Sequence, residues 1–165
     1  MAESSNIAWT RSTFNPWIGC TKVSPGCDHC YASVSTPARA LGVRWGAGQP
    51  RRLTSASNWA KPLVWNKRAQ QSGERWLVFC SSLADVFDNE VSQLWRWDLF
   101  RLIRKTPYLT WLLLTKRVGN ARDMLNECAA ATENAFVGDA SWDRKPWPSV
   151  WLGITVVNQE EADRD

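Results

Sequence analysis

At 165 residues and 44% hydrophobic content, the chain can bury one real core and reads as a single domain over 1–165. No window carries the apolar run of a membrane span, and the first residues lack the charged and apolar stretches of a signal peptide, which argues against a membrane protein and for a cytoplasmic one. Net charge is +4, and the five cysteines, an odd number with three crowded together, suit a metal better than a disulfide framework.

The first predicted element is a strand through Phe14 to Ile18, which delivers Cys20 to its end. A short loop then holds Cys20, Cys27 and Cys30 on a backbone bent by Pro25 and Gly26. Thiolates this close in sequence can converge on one metal centre without help from distant segments. A closed structural zinc site takes four ligands, whereas three leave a position open for a substrate or cofactor.

Residues 31–75 form a long basic connection in which eight Lys and Arg (Arg39, Arg44, Arg51, Arg52, Lys61, Lys67, Arg68 and Arg75) face one acid, Glu74. Trp45, Trp59 and Trp65 are interleaved with these charges. Cations and flat rings in one groove suit a nucleic-acid backbone and its unstacked bases. The alternative is a solvated connection whose tryptophans pack on the core.

From Trp76 onward the period alternates. Trp76 to Cys80 is a short apolar run ending in polar Ser81, Ser82 and Asp85, the pattern of a buried parallel strand running out at an active edge. Val91, Leu94, Trp95, Leu99, Leu102 and Ile103 follow at helical spacing, and Thr106-Pro107 closes that helix. Leu109 to Leu114 is a second buried strand, with Thr115-Lys116-Arg117 as its polar exit. Gly119 to Ala131 predicts a helix with Ala121, Met124, Leu125 and Cys128 on one side. Val150 to Ile154 is another strand, followed by Thr155 and a helix start at Asn158 to Glu161. From Gly119 on, nine acids against four bases reverse the sign of the charge.

Repeated strand and helix units imply an α/β fold with a parallel sheet covered by helices, and in β/α barrels the carboxyl edge of the strands carries the chemistry. Cys20, Ser81, Ser82, Asp85, Lys116 and Thr155 would gather there. Asp85 either binds a ligand or caps the helix after it. Cys80 and Cys128 lie in apolar patterns and are expected to be small core residues. A competing reading is a zinc-stabilised nucleic-acid-binding module without catalysis, with Cys80 or, less readily, His29 as the fourth ligand. Against it, only one Cys-x-x-Cys pair exists.

Four segments in order, Asn15-Pro16-Trp17 with the run from Gly19 through Cys30-Tyr31-Ala32, Ser82 to Phe87, Leu114 to Arg117, and Trp151 to Val156, resemble the phage Gp37/Gp68 proteins. Those are radical S-adenosylmethionine-like proteins with a partial barrel similar to that of spore photoproduct lyase. The six residues between Cys20 and Cys27 match the spacing of that group rather than the three common elsewhere.

The resemblance implies a partial (β/α) barrel with parallel strands, incomplete in this chain, in a bacterial or phage-infected cytoplasm. It implies that Cys20, Cys27 and Cys30 hold a [4Fe-4S] cluster whose fourth iron takes S-adenosylmethionine, and that reduction yields a 5′-deoxyadenosyl radical for hydrogen abstraction. It further implies His29 near the adenine, Ser81 and Ser82 at the methionine amino group, Lys116 at the cofactor carboxylate and Thr155 at the ribose, with Tyr31 and Asp85 also in the cofactor-binding set. A nucleic acid or nucleotide substrate at the 39–75 basic segment and an electron donor are the expected partners. Relatives continue for two more strand and helix units, so the expectation is either a truncated or split member or a form that needs a second chain to complete its barrel.

Overall fold

The fold is that of a computed structural model, which describes residues 4–133 and 141–164. Asp139 and Asp165 of the acidic tail lie outside them. In chain order the elements are β1 (Ser12–Thr13), β2 (Trp17–Ile18), α1 (Thr36–Ala40), β3 (Arg52–Leu53), α2 (Ala56–Ser72), β4 (Trp76–Cys80), α3 (Gln93–Arg104), β5 (Leu109–Thr115), α4 (Val118–Glu133), β6 (Val150–Ile154) and α5 (Gln159–Arg164). Strands β1, β4, β5 and β6 form a four-stranded parallel sheet in that order, with β1 and β6 at its edges. The α/β expectation is met, but the sheet is open and no barrel closes among the described residues.

One face of the sheet carries the core. Trp76, Val78 and Cys80 alternate along β4, and Leu109, Trp111 and Leu113 along β5, all buried. Helices α2, α3 and α4 cover them with Trp65 and Ala69, Leu99 and Ile103, and Ala121, Leu125 and Cys128. Cys80 and Cys128 are core residues, as their apolar patterns predicted. On edge strand β6, Trp151, Leu152 and Ile154 are 60%, 43% and 41% exposed. No helix among the described residues is long and apolar enough to cross a membrane.

Two stretches differ from expectation. The strand predicted over Phe14 to Ile18 does not run as one: Ser12–Thr13, just before it, pairs with β4, and Pro16, which has no N–H to give a ladder, separates that pairing from the next. Trp17–Ile18 instead pairs antiparallel with Arg52–Leu53. The chain regains the main sheet at Gly19, whose N–H donates to the Leu83 carbonyl at 3.1 Å, so Cys20 still arrives at the carboxyl edge.

The second is α2, seventeen residues long, inside the stretch read as a basic connection. Its buried stripe is narrow, Asn58, Pro62, Trp65 and Ala69, and Pro62 and the surrounding cations mask the helical period. Ser55 caps it, its hydroxyl accepting from the Asn58 N–H at 3.3 Å, and Gly73 at φ 70° takes the left-handed turn that ends it. Ser55→Ala is expected to lower stability by about 1 kcal/mol, seen as a lower denaturation midpoint at unchanged slope. An unchanged midpoint would show that the cap contributes nothing.

Candidate functional site

The cysteine loop is two short 3-10 turns joined end to end. Cys27 closes the turn Pro25–Cys27, its N–H donating to the Ser24 carbonyl at 2.9 Å. Cys30 precedes the turn Tyr31–Val34, and its carbonyl accepts from the Ser33 hydroxyl at 2.8 Å. The thiols of Cys20, Cys27 and Cys30 are free and half-buried, and all three residues border one cavity of about 140 Å3.

The strand ends supply the rest of its wall. Ser81 and Ser82 come from the end of β4, Thr115 and Lys116 from β5, and Thr155 from β6, with Asp85 between. Tyr31 borders the cavity as well, its hydroxyl donating to the Ser82 carbonyl at 3.1 Å. Of the residues singled out in the sequence, only His29 stays outside. It is exposed and does not line the cavity, whose aromatic residues are Tyr31 and Phe79.

These residues differ in what they have left to offer. Asp85 is buried, and its carboxylate accepts from the Thr115 hydroxyl at 2.8 and 3.0 Å, the Phe87 N–H at 3.0 Å and the Lys116 N–H at 3.1 Å. With both oxygens engaged, Asp85 caps the turn after β4 and ties it to the end of β5. Ser82 is held by Asn15, whose side-chain amide donates to its hydroxyl at 2.9 Å and whose carbonyl oxygen accepts the Leu83 N–H at 2.7 Å. The Ser81 hydroxyl is buried without a partner among the described residues. A buried polar atom in that state needs an explanation, and a ligand in the cavity is one.

Lys116 reaches across to the cysteine loop. A Cβ on Gly26 would stand 3.2 Å from Lys116 Cε and 3.0 Å from Val157 Cγ1, so these side chains must give way to admit one. Gly26→Ala is therefore expected to displace Lys116 and to lower stability by about 1–2 kcal/mol, read from the denaturation midpoint. A neutral result would mean that the contact yields freely.

Beneath the first cysteine lies an ion network that sequence reasoning missed. Arg51 and Asp88 side chains are 1% and 2% exposed and meet at 2.8 Å, and Arg51 also reaches Glu90 at 3.1 Å. Arg51 donates to the Thr21 hydroxyl at 2.7 Å. Arg117 approaches Asp88 at 3.5 Å, donates to the Thr21 carbonyl at 2.8 Å and lies 3.8 Å from Cys20 Sγ. Burial pushes the Cys20 thiol up to about 12, against the pull of Arg117 and with the push of Asp85 and Asp88. Cys20 is thus a neutral thiol near pH 7, and ligation must release its proton. Nothing local in the sequence marks these partners, which lie 37 and 96 residues apart at Arg51–Asp88 and Thr21–Arg117.

The same network removes Arg51 from the basic surface. Trp65 is 1% exposed, Trp59 packs on the core with its indole N–H on the Pro16 carbonyl at 3.3 Å, and Trp45 packs against a smaller cluster. Of the three tryptophans only Trp65 is fully withdrawn, while Trp45 and Trp59 stay partly exposed. Among the described residues, no three His, Cys, Asp or Glu side chains gather as they would around a single metal ion.

No curated protein and no solved structure matches the chain. One family model does, over residues 4–165, and its description is "Protein of unknown function (DUF5131)". Nearly the whole chain is covered, and the protein belongs to this DUF5131 family.

Proposed function

We propose that the chain is a radical S-adenosylmethionine-type protein in which Cys20, Cys27 and Cys30 hold a [4Fe-4S] cluster and the adjoining strand ends hold the cofactor. The observation that carries the reading is the shared cavity. Three free thiols from one loop face polar groups from the carboxyl ends of three adjacent parallel strands, where α/β folds of this type bind their ligands.

The donor set fits that group. Thiolates are the usual cluster ligands, and three leave one iron open. A single zinc ion needs its ligands at roughly 2.0–2.3 Å from one point, whereas a cluster takes each thiolate on a different iron and spreads them around a larger body. The three cysteines border one cavity with the polar strand ends, and the chain holds one Cys-x-x-Cys pair where zinc modules carry two paired ligand clusters.

When bound, the cluster and S-adenosylmethionine supply a 5′-deoxyadenosyl radical for hydrogen abstraction, and the protein's part is binding, orientation and exclusion of side reactions. Lys116, whose ammonium has no ion pair among the described residues, would take the cofactor carboxylate as a point charge. The unpartnered Ser81 hydroxyl would accept from its amino group. Tyr31 offers a flat face held by its bond to Ser82, and Thr155 a hydroxyl beside Thr115. Asp85 and Arg117 act as positioning residues, the first on the β5 end and the second on the Cys20-Thr21 backbone.

The test is anaerobic reconstitution with iron and sulfide, followed by metal and sulfide analysis. About four irons and four sulfides per chain are expected. One zinc per chain and no cluster would overturn the reading in favour of the metal-stabilised binding module.

A further inference from the structure

Arg117 stands between the end of β5 and the start of α4, and by residue type it is one more strand-end cation. Its backbone N–H donates to the Thr115 hydroxyl at 2.8 Å, and its side chain is withdrawn under the first cysteine, only 7% exposed. Nη2 donates to the Thr21 carbonyl at 2.8 Å and lies 3.5 Å from Asp88 Oδ1 and 3.8 Å from Cys20 Sγ, within reach of sulfur, a large and weak acceptor. Nη1 is buried with no partner among the described residues. The charge of Arg117 is thus matched only by Asp88, which Arg51 holds as well at 2.8 Å.

The three cysteines are unequal in this respect. Cys20 has a buried cation at its sulfur, whereas among the described residues no Lys or Arg side chain hydrogen-bonds the thiol of Cys27 or Cys30, and Lys22 pairs with Asp28 at 3.6 Å. Net charge, hydrogen bonds to the sulfurs and exposure are the levers by which a protein sets the potential of an iron-sulfur site. A fixed cation at a sulfur ligand stabilises the form that carries the extra electron, and more strongly where water is excluded. Asp85 and Asp88 act in the opposite sense, but Asp88 is shared by two guanidiniums and the Asp85 carboxylate is engaged by Thr115, Phe87 and Lys116. Ligation strengthens the contact with Arg117, because it turns the Cys20 thiol into a thiolate, and an ionised acceptor takes the stronger hydrogen bond.

We propose that Arg117 sets the reduction potential of the site by donating to the Cys20 sulfur, holding that potential above the value the three thiolates alone would give. The proposal rests on the radical reading above, in which Cys20 is a cluster ligand. One electron enters from a low-potential one-electron reductant and adds one negative charge beside the guanidinium. No bond to Arg117 forms or breaks, and it neither gains nor loses a proton. Arg117 is a positioning residue that acts through Cys20.

The experiment is a redox titration of the reconstituted full chain with dithionite and mediators, the reduced cluster being counted by electron paramagnetic resonance. Arg117→Gln is expected to lower the ratio of reduced to oxidised cluster at a fixed potential by about tenfold, a fall of about 59 mV for one electron. Arg117→Met keeps the length and packing of the side chain and should give the same shift, whereas Arg117→Lys keeps the charge and should recover most of the potential. Arg122→Gln removes a charge from an exposed position on α4, where Arg122 pairs with Asp143 at 3.0 Å, and should leave the potential unchanged. A mere brace at position 117 would change the amount of cluster and the melting temperature, but not the potential of the cluster that forms. An unchanged potential in either neutral variant, or an equal shift in Arg122→Gln, would overturn the proposal. Failure of both neutral variants to take up a cluster would overturn it too, by making Arg117 structural alone. Those outcomes leave the radical reading standing, whereas no cluster in the wild type would overturn that reading and the proposal with it.

Discussion

Asp88→Ala is expected to destabilise the protein by about 3–5 kcal/mol, because it leaves the buried Arg51 and Arg117 guanidiniums without their shared counter-ion. Arg51 and Asp88 are almost fully withdrawn from water, so solvent cannot compensate as it would at an exposed pair. Among the described residues Glu90 is the one other acid on Arg51, and its side chain is 37% exposed. The loss extends to the site, since both arginines hold Thr21, the residue after the first cysteine. The check is a denaturation midpoint together with iron content after reconstitution, and both should fall. A loss below about 1 kcal/mol, the size of a surface pair, would show that the network does not brace the loop.

Cys20→Ala, Cys27→Ala and Cys30→Ala should each reduce reconstituted iron from about four per chain to near zero, while Cys80→Ala and Cys128→Ala should keep the cluster. The contrast follows from placement. The first three border the cavity as free, half-buried thiols, and the other two are sealed in the core, where burial pushes the Cys128 thiol up to about 12 and Cys80 higher still. Truncating a core cysteine leaves a small void and costs some stability, but removes no ligand. Iron retained in Cys27→Ala or lost in Cys128→Ala would overturn the ligand assignment.

The later strands could be read directly from the sequence because their apolar runs are short, continuous and closed by polar residues. Trp76–Cys80 and Val150–Ile154 have the predicted bounds, and Leu109–Thr115 extends one residue further. Helix α2 was hidden because its buried stripe is carried by Asn58 and Pro62 as much as by Trp65, and neither scores as apolar. The split at Pro16 depends on a partner strand, Arg52–Leu53, that local pattern does not reveal. For the site, residue type and strand-end position sufficed to gather the three cysteines, Ser81, Ser82, Lys116 and Thr155 around one cavity. They did not reveal that Asp85 is fully engaged, that His29 is exposed outside the cavity lining, or that Arg117 stands behind Cys20. Those facts depend on which distant groups meet, and charge composition carries no record of it.

The most direct test of the central claim is electron paramagnetic resonance of the reduced, reconstituted protein with and without S-adenosylmethionine. A cluster signal that changes on adding the cofactor is the predicted result, because three cysteines leave one iron open to it. A cluster signal indifferent to the cofactor, or no cluster signal at all, would contradict the account.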